Sequence, residues 1–296
     1  MNQQATPDKR LNAYREDLAD KKLEGLVASQ RFVQGRTAVV SAHFADAYDR
    51  PAKDAGLQTQ FLHGHEVLVF DGGGGDYDGE WAWVQCQTDG YVGYVQRSLL
   101  TEYSVSKQSE PTHMVSAPRT FLYSDKDLKS PRSGYRSMGS KVRVVDQATT
   151  RGTDYAILEG GEAIIANHLI EIGDWLSDPV SVAETLLHTP YLWGGNTGFG
   201  IDCSGLVSLS NLLCGNVVLR DSDMQAASIG EVIPLDTDNL RRGDLIFWKG
   251  HVGMMADNKT MLHANGNTMN VALEPLAEAI ERIGYLYDAP TLARRP

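Results

Sequence analysis

A loosely repeated plan of short β-type runs is the feature that most restricts the fold of this chain. LHGHEVLVFD (62–71) is matched by SMGSKVRVVD (137–146), and GYVGYVQRSLL (90–100) by GEAIIANHLIE (161–171). Repetition on this scale marks one supersecondary unit used twice. In the first copy the runs at 66–70, 81–86 and 91–95 are separated by DGGGGDYDG and QTDG, stretches suited to hairpin turns. Closely spaced short strands close most readily into a small barrel. Two barrels in tandem are therefore expected, over 37–104 and 110–172, with a linker over 104–111. Residues 1–36 precede them, and the spacing of Leu11, Tyr14, Leu18 and Leu23 predicts a helix over 8–24.

Beyond about residue 172 the texture changes. A helix is expected over 180–188, followed by YLWGGNTGFGIDCSG (191–205) and an apolar helix over 204–213 that Gly215 stops. Further β-type runs follow at 244–248, 251–256 and 260–264. A helix, a cysteine-bearing helix and an antiparallel meander make 174–296 an α+β domain.

Charge narrows the partners. The net charge is −11 and no Lys/Arg run exceeds a pair, which argues against nucleic acid and against an anionic membrane surface. No segment approaches the roughly 18 apolar residues of a membrane span. The N-terminal stretch lacks the apolar core of a secretory signal. Three cysteines are too few for a disulfide framework, so a reducing compartment, the cytoplasm, is the expected location.

Cys203 carries the chemical interest. It falls at the first turn of the helix near Ser204, where unpaired N–H groups and the helix dipole favour a thiolate. Gly194, Gly195, Gly198 and Gly200 precede it and permit a tight turn and close approach to a substrate. If Asp257-Asn258-Lys259 turns the two following runs into a hairpin, His251 falls opposite Asn265 and His263 becomes its diagonal neighbour. Two imidazoles on one sheet face near a thiol have the composition of a nucleophile, a base and an orienting group. Free cysteine is also among the most buried residue types, so residue chemistry alone leaves a core role open. That core role is assigned to Cys86 and Cys214, and ordinary structural roles to His43, His63, His65, His113, His168 and His188. The glycine-rich run lacks the Gly-Lys-Ser/Thr ending of a phosphate loop. Cys203, His251 and His263 lack the close ligand pairs of a zinc site, and DGGGGDYDGE lacks calcium-loop spacing. No cofactor or metal is expected.

Tyr191-x-Trp193-Gly194-Gly195, Asp202-Cys203-Ser204-Gly205, Arg241-Arg242-Gly243-Asp244-Leu245, Gly250-His251-Val252-Gly253 and His263-Ala264 stand in the order found in the NlpC family. Over about 174–290 the chain thus resembles these papain-like γ-D-glutamyl endopeptidases of peptidoglycan stem peptides. The tandem β repeats resemble bacterial SH3 domains, with Tyr94 where many of them place a tryptophan. The whole layout looks like the cell-wall-recycling members, which cut between γ-D-Glu and a diamino acid in peptides with a free N-terminal L-Ala. The resemblance implies an α+β fold of two SH3-like barrels followed by a papain-like peptidase, with murein stem peptides as partners. It makes Cys203 the nucleophile, His251 the base and His263 its orienting residue, and places Tyr191 near the oxyanion site with Trp193 lining the groove. Asp202 and Ser204 would meet the substrate amine and backbone. Arg220, with Ser222, would hold the D-Glu α-carboxylate, and Tyr91 and Glu80 would reach the L-Ala amine. Three alternatives are a secreted hydrolase of intact wall, a thiol acyltransferase on the same fold, and a binding module with a vestigial triad.

Overall fold

The computed structural model describes residues 6–71, 79–102 and 110–296. Residues 72–78 of the turn expected over 71–79, and residues 104–109 of the linker expected over 104–111, lie outside the described residues. The chain divides into two compact units, Met1–Glu110 and Pro111–Pro296.

In the first unit a seven-stranded sheet runs in the order Leu57–Leu62, Phe44–Tyr48, Val92–Gln96, Trp81–Cys86, Glu66–Val69, Arg36–Val40 and Leu100–Glu102. Ala38, Val40, Ala47, Val84 and Val95 are buried along these strands. The helix expected over 8–24 is not formed. The segment instead holds a two-residue strand, Ala19–Asp20, parallel to Phe32–Val33, and a 3-10 turn, Lys21–Leu23. Packing overrides the helical spacing: Ala13 and Leu18 enter one buried cluster with Phe70 and Trp83. The Arg15 guanidinium lies 4.3 Å from the Trp83 ring and donates to the Tyr94 hydroxyl at 2.9 Å. Backbone groups of the segment bond to one another in a non-helical pattern, Arg15 N–H to the Leu18 carbonyl and Asp20 N–H to the Ala13 carbonyl at 2.8 Å each, and Val92 N–H of the sheet donates to the Arg10 carbonyl at 2.8 Å.

In the second unit, Arg132–Ser137, Arg119–Tyr123, Ala163–Ile165, Thr153–Leu158 and Val144–Thr150 form a five-stranded sheet. Lys141–Val142, His113–Val115 and Leu169–Glu171 form a three-stranded one. Val115, Leu122, Val142, Ala156 and Ile164, drawn from both sheets, pack in one core.

The repeat is real in three dimensions. Gly64 and Gly139 both take positive φ, +77° and +81°, a region glycine enters without steric cost. Their N–H groups donate to Val40 and Val115 carbonyls at 2.9 and 2.8 Å. Each copy also has a 3-10 turn between strands, Arg97–Leu99 and Ala166–His168. The carbonyl of Leu99 accepts from Ser41 N–H as that of His168 accepts from Ser116 N–H. The second sequence match, which sets Arg97 against His168, is therefore two residues out of register. A two-residue slip keeps every side chain on its own face, so alternation alone does not reveal it.

The remainder of the second unit builds on helices α1 (Pro179–Glu184), α2 (Cys203–Leu213), α3 (Ser222–Ser228) and α4 (Leu276–Tyr287). Its sheet has strands β1 (Glu231–Ile233), β2 (Leu245–Trp248), β3 (His251–Met255), β4 (Thr260–Asn265), β5 (Asn270–Pro275) and β6 (Leu292–Arg295). The spatial order is β1-β6-β2-β3-β4-β5, antiparallel throughout. Leu276, Ala279 and Ile283 of α4 pack with Ile246, Trp248, Met255 and Met261. α2 packs on α1, β3 and β4. Its buried Ser210 and Asn211 donate back to the Leu206 and Val207 carbonyls at 2.7 and 2.8 Å, so neither is left unpaired. No helix among the described residues is long and apolar enough to cross a membrane.

Candidate active site

Two elements meet at Cys203. As the first residue of α2 it has a backbone N–H outside the intrahelical ladder. Its buried thiol faces the backbone N–H of Val252, the residue after His251. Asp202 is the N-cap, accepting from Gly205 N–H at 2.7 Å. A Cβ on Gly205 would run into the Gly195 carbonyl, and one on Gly195 into Gly200. The glycines thus let the loop lie against the start of the helix, which is why this stretch is glycine-rich.

The hairpin register is the expected one. Met254 pairs with Leu262 and Met255 with Met261, which carries His251 opposite Asn265. His251 Nε2 and His263 Nδ1 lie 2.9 Å apart. A turn over 266–269 pairs Asn265 with Asn270, so β5 sets Ala272 opposite His263 and Glu274 diagonal to it. Glu274 Oε2 lies 3.0 Å from His263 Nε2. Arg282 of α4 grips Glu274 through Nε–Oε1 at 2.9 Å and Nη2–Oε2 at 2.5 Å. The sequence reading missed Glu274 and Arg282. The one signal for Glu274 was its alternation with Ala272 on the face of His263.

Burial dominates the protonation of this group. The Cys203 thiol is pushed up to about 12 by burial, with the Asp202 charge adding to it. The benefit expected from the helix start is outweighed. Burial pushes His251 down to about 3, assisted by His263 and Arg282, and His263 down to about 4. Arg282 holds the Glu274 carboxyl below its usual range. Near neutral pH the site therefore rests as a thiol, two neutral imidazoles and a carboxylate. A carboxylate only accepts, so His263 Nε2 carries the proton and Nδ1 the lone pair. His251 Nε2 then donates to it, which leaves the His251 lone pair on Nδ1 as a base.

Arg220 and Asp202 form a buried ion pair beside Cys203. Arg220, 1% exposed, donates Nη1 to Asp202 Oδ1 at 3.0 Å and to Ser204 Oγ at 2.8 Å. Its Nη2 donates to Asp202 Oδ2 at 2.8 Å and to the Gly195 carbonyl at 3.0 Å. Asp202 further accepts from Gly194 N–H at 2.9 Å and from Ser204 Oγ at 3.2 Å. These contacts engage all three side chains within the protein; a substrate carboxylate at Arg220, and a substrate amine and backbone at Asp202 and Ser204, stand as proposals beside them. Two buried charges persist only when paired and hydrogen-bonded, and here they satisfy each other. Ser222 is half-buried at the start of α3. Tyr191 bridges to Ile201, two residues ahead of Cys203, and its N–H donates to the Met269 carbonyl. Trp193 is 68% exposed. Tyr91 and Glu80 belong to the first unit, where Tyr91 is buried and Glu80 pairs with Lys53 at 3.2 Å. Among the described residues no three His, Cys, Asp or Glu side chains are grouped to hold a metal ion.

A helix-start thiol beside a hairpin-borne imidazole, itself held by a second polar group, defines a papain-like cysteine–histidine site on an α+β fold. The NlpC/P60 family model matches residues 188–283, and that of the bacterial dipeptidyl-peptidase Sh3 domain residues 47–100. The chain therefore carries an NlpC/P60 peptidase domain preceded by a bacterial SH3-type domain. Dipeptidyl-peptidase 6 of Lysinibacillus sphaericus is 28% identical over 84% of this chain and 99% of that protein. The γ-D-glutamyl-L-lysine dipeptidyl-peptidase of Bacillus subtilis is 28% identical over 76% of this chain and 77% of its own length. The crystal structure of an NlpC/P60 family protein from Bacillus cereus superimposes with a TM-score of 0.72 at 24% identity. It covers 88% of this chain and 99% of that one, and shows the fold.

Proposed function

We propose that this protein is a cysteine peptidase that cuts the bond between γ-D-Glu and a diamino acid in stem peptides with a free N-terminal L-Ala, in recycling of cell-wall peptides. The observation that carries the reading is the buried Cys203 thiol facing the N–H of Val252, next to a His251 whose Nε2 lies 2.9 Å from His263 Nδ1. The relatives named as dipeptidyl-peptidases, matched over most of the chain, support the substrate class. The thiol proton passes to His251 Nδ1, and the thiolate attacks the γ-carbonyl carbon of D-Glu. The tetrahedral intermediate collapses with loss of the amine, which takes the proton from His251. Water, deprotonated by His251, then attacks the thioester, releasing the dipeptide and restoring the thiol. Tyr191 and the Cys203 N–H serve the developing oxyanion. All three cysteines are free thiols, which supports a cytoplasmic site of action.

Mass spectrometry of products from L-Ala-γ-D-Glu-L-Lys, its diaminopimelate counterpart and their N-acetyl forms tests this. The expected products are L-Ala-D-Glu and the free diamino acid, from the free-amine peptides alone. Equal cleavage of acetylated and free peptides sinks the N-terminal requirement, and no cleavage of any of them sinks the substrate class.

A further inference from the structure

We propose that Glu274, locked by Arg282, is the positioning residue that selects the tautomer of both histidines against a competing donor, Asn265. The proposal rests on the peptidase reading of Cys203 and His251 but concerns residues outside that triad.

His263 Nε2 has two polar neighbours, Glu274 Oε2 at 3.0 Å and Asn265 Nδ2 at 3.2 Å. They ask for opposite protonation. The Asn265 amide has no freedom to turn over, because its Oδ1 accepts from Asn267 N–H at 3.0 Å and Thr268 N–H at 2.9 Å. Its NH₂ therefore faces the imidazole as a donor. Were Asn265 to prevail, His263 Nε2 would hold a lone pair and Nδ1 a proton. His251 Nε2 would have to accept a hydrogen bond from that N–H, and its own hydrogen would sit on Nδ1. The base would then offer an N–H to the thiol and could take no proton from it.

Glu274 prevents this because it only accepts. Arg282 makes the choice firm in two ways. Its two-point grip fixes the carboxylate beside His263, and its charge keeps the carboxylate ionised. The charged and titratable groups facing the pair are His263 on β4, His251 on β3 and Arg282 on α4.

Replacing Glu274 by glutamine removes the acceptor with little change of shape. Arg282 donates to both carboxylate oxygens, so the glutamine meets His263 either through its NH₂, siding with Asn265, or through a neutral oxygen already held by Arg282 Nη2, a weaker acceptor than the carboxylate. In Glu274→Gln, kcat is expected to fall about 100-fold or more with KM within about twofold, since a wrong-tautomer base in a serine triad costs about 10⁴-fold. The 15N shifts of the His263 ring should show the lone pair moved from Nδ1 to Nε2. Alkylation of Cys203 by iodoacetamide at neutral pH should slow alongside. Adding Asn265→Asp restores an acceptor at Nε2 while keeping the oxygen that the 266–269 turn uses, and should recover at least tenfold of the lost rate. An exposed-side variant, Arg282→Lys, should show a smaller loss of the same kind.

The proposal is overturned if Glu274→Gln leaves the His263 tautomer unchanged and alkylation within twofold of the parent. It is equally overturned if the double variant recovers nothing while retaining the parent's melting temperature. The alkylation and tautomer readings use no peptide. A parent protein that cleaves no stem peptide therefore defeats the peptidase reading and leaves this inference to be decided separately.

Discussion

Burial of Cys203 and partial burial of His251 disfavour the charged form of each, and that has consequences at single residues. With the thiol pushed up to about 12, alkylation of Cys203 should keep accelerating up to at least pH 9, without the low-pH plateau of a preformed thiolate ion pair. A plateau below pH 7 in stopped-flow alkylation would show that the pair is charged at rest. His251 and His263 bind protons more weakly folded than unfolded, at about 3 and about 4 against an ordinary value of about 6.5. The unfolded chain therefore takes up more protons, and stability is complete above about pH 6.5 and falls as pH drops toward 4. Urea melts at pH 7.5 and 5 should show this loss, and His251→Gln should make it smaller. Arg220→Ala is expected to cost about 3–5 kcal/mol in the same melts, because it strands the buried Asp202 carboxylate. A variant with parental stability and only a raised KM would instead place Arg220 at the substrate. The placement of Cys203 at a helix start and of His251 beside His263 was legible because a thiol and two imidazoles are scarce and the hairpin fixes its own register. Glu274 and Arg282 were not, since on a strand and a helix they read as ordinary surface charges.

At the scale of elements, the start of α2 depends on backbone contacts that admit no side chain. Gly205→Ala should displace the helix start from Gly195 and lower activity at least tenfold, with a lower melting temperature. Parental activity in this variant would show that the loop has room to move. The second barrel also reaches this loop. Ser137 Oγ accepts from Gly198 N–H at 2.9 Å, Tyr135 meets Phe199 edge-on, and a Cβ on Gly198 would collide with the Pro118 carbonyl. Gly198 therefore serves docking of the barrel, a role distinct from that of Gly195 and Gly205 although all sit in one run. Elements with a strong local pattern, such as α2 and strands β2 to β4, were readable before the fold was known. The register between the two repeats was not, because a shift of two leaves alternation intact.

Across the whole molecule, the N-terminal segment is a structural part of the first unit. Ala13, Leu18 and Arg15 cover Phe70, Trp83 and Tyr94, so removing residues 1–30 should expose Trp83, red-shift its fluorescence and lower the melting temperature of that unit. A truncated chain that melts like the parent would make the segment an accessory. Its charged, helix-like spacing gave no warning, because its partners lie far along the chain and long-range packing overrides weak local preference. The sequence by itself determined the repeated β units, the α+β C-terminal domain, the helix start at Cys203 and the hairpin that sets His251 beside His263, since these rest on local periodicity, turn chemistry and rare side chains. Only the tertiary structure decided that Asp202 and Arg220 neutralise each other, that Glu274 stands behind His263, and that burial disfavours the Cys203 thiolate. Each of these depends on which charges burial brings together, and burial is a property of the packed chain rather than of any stretch of it.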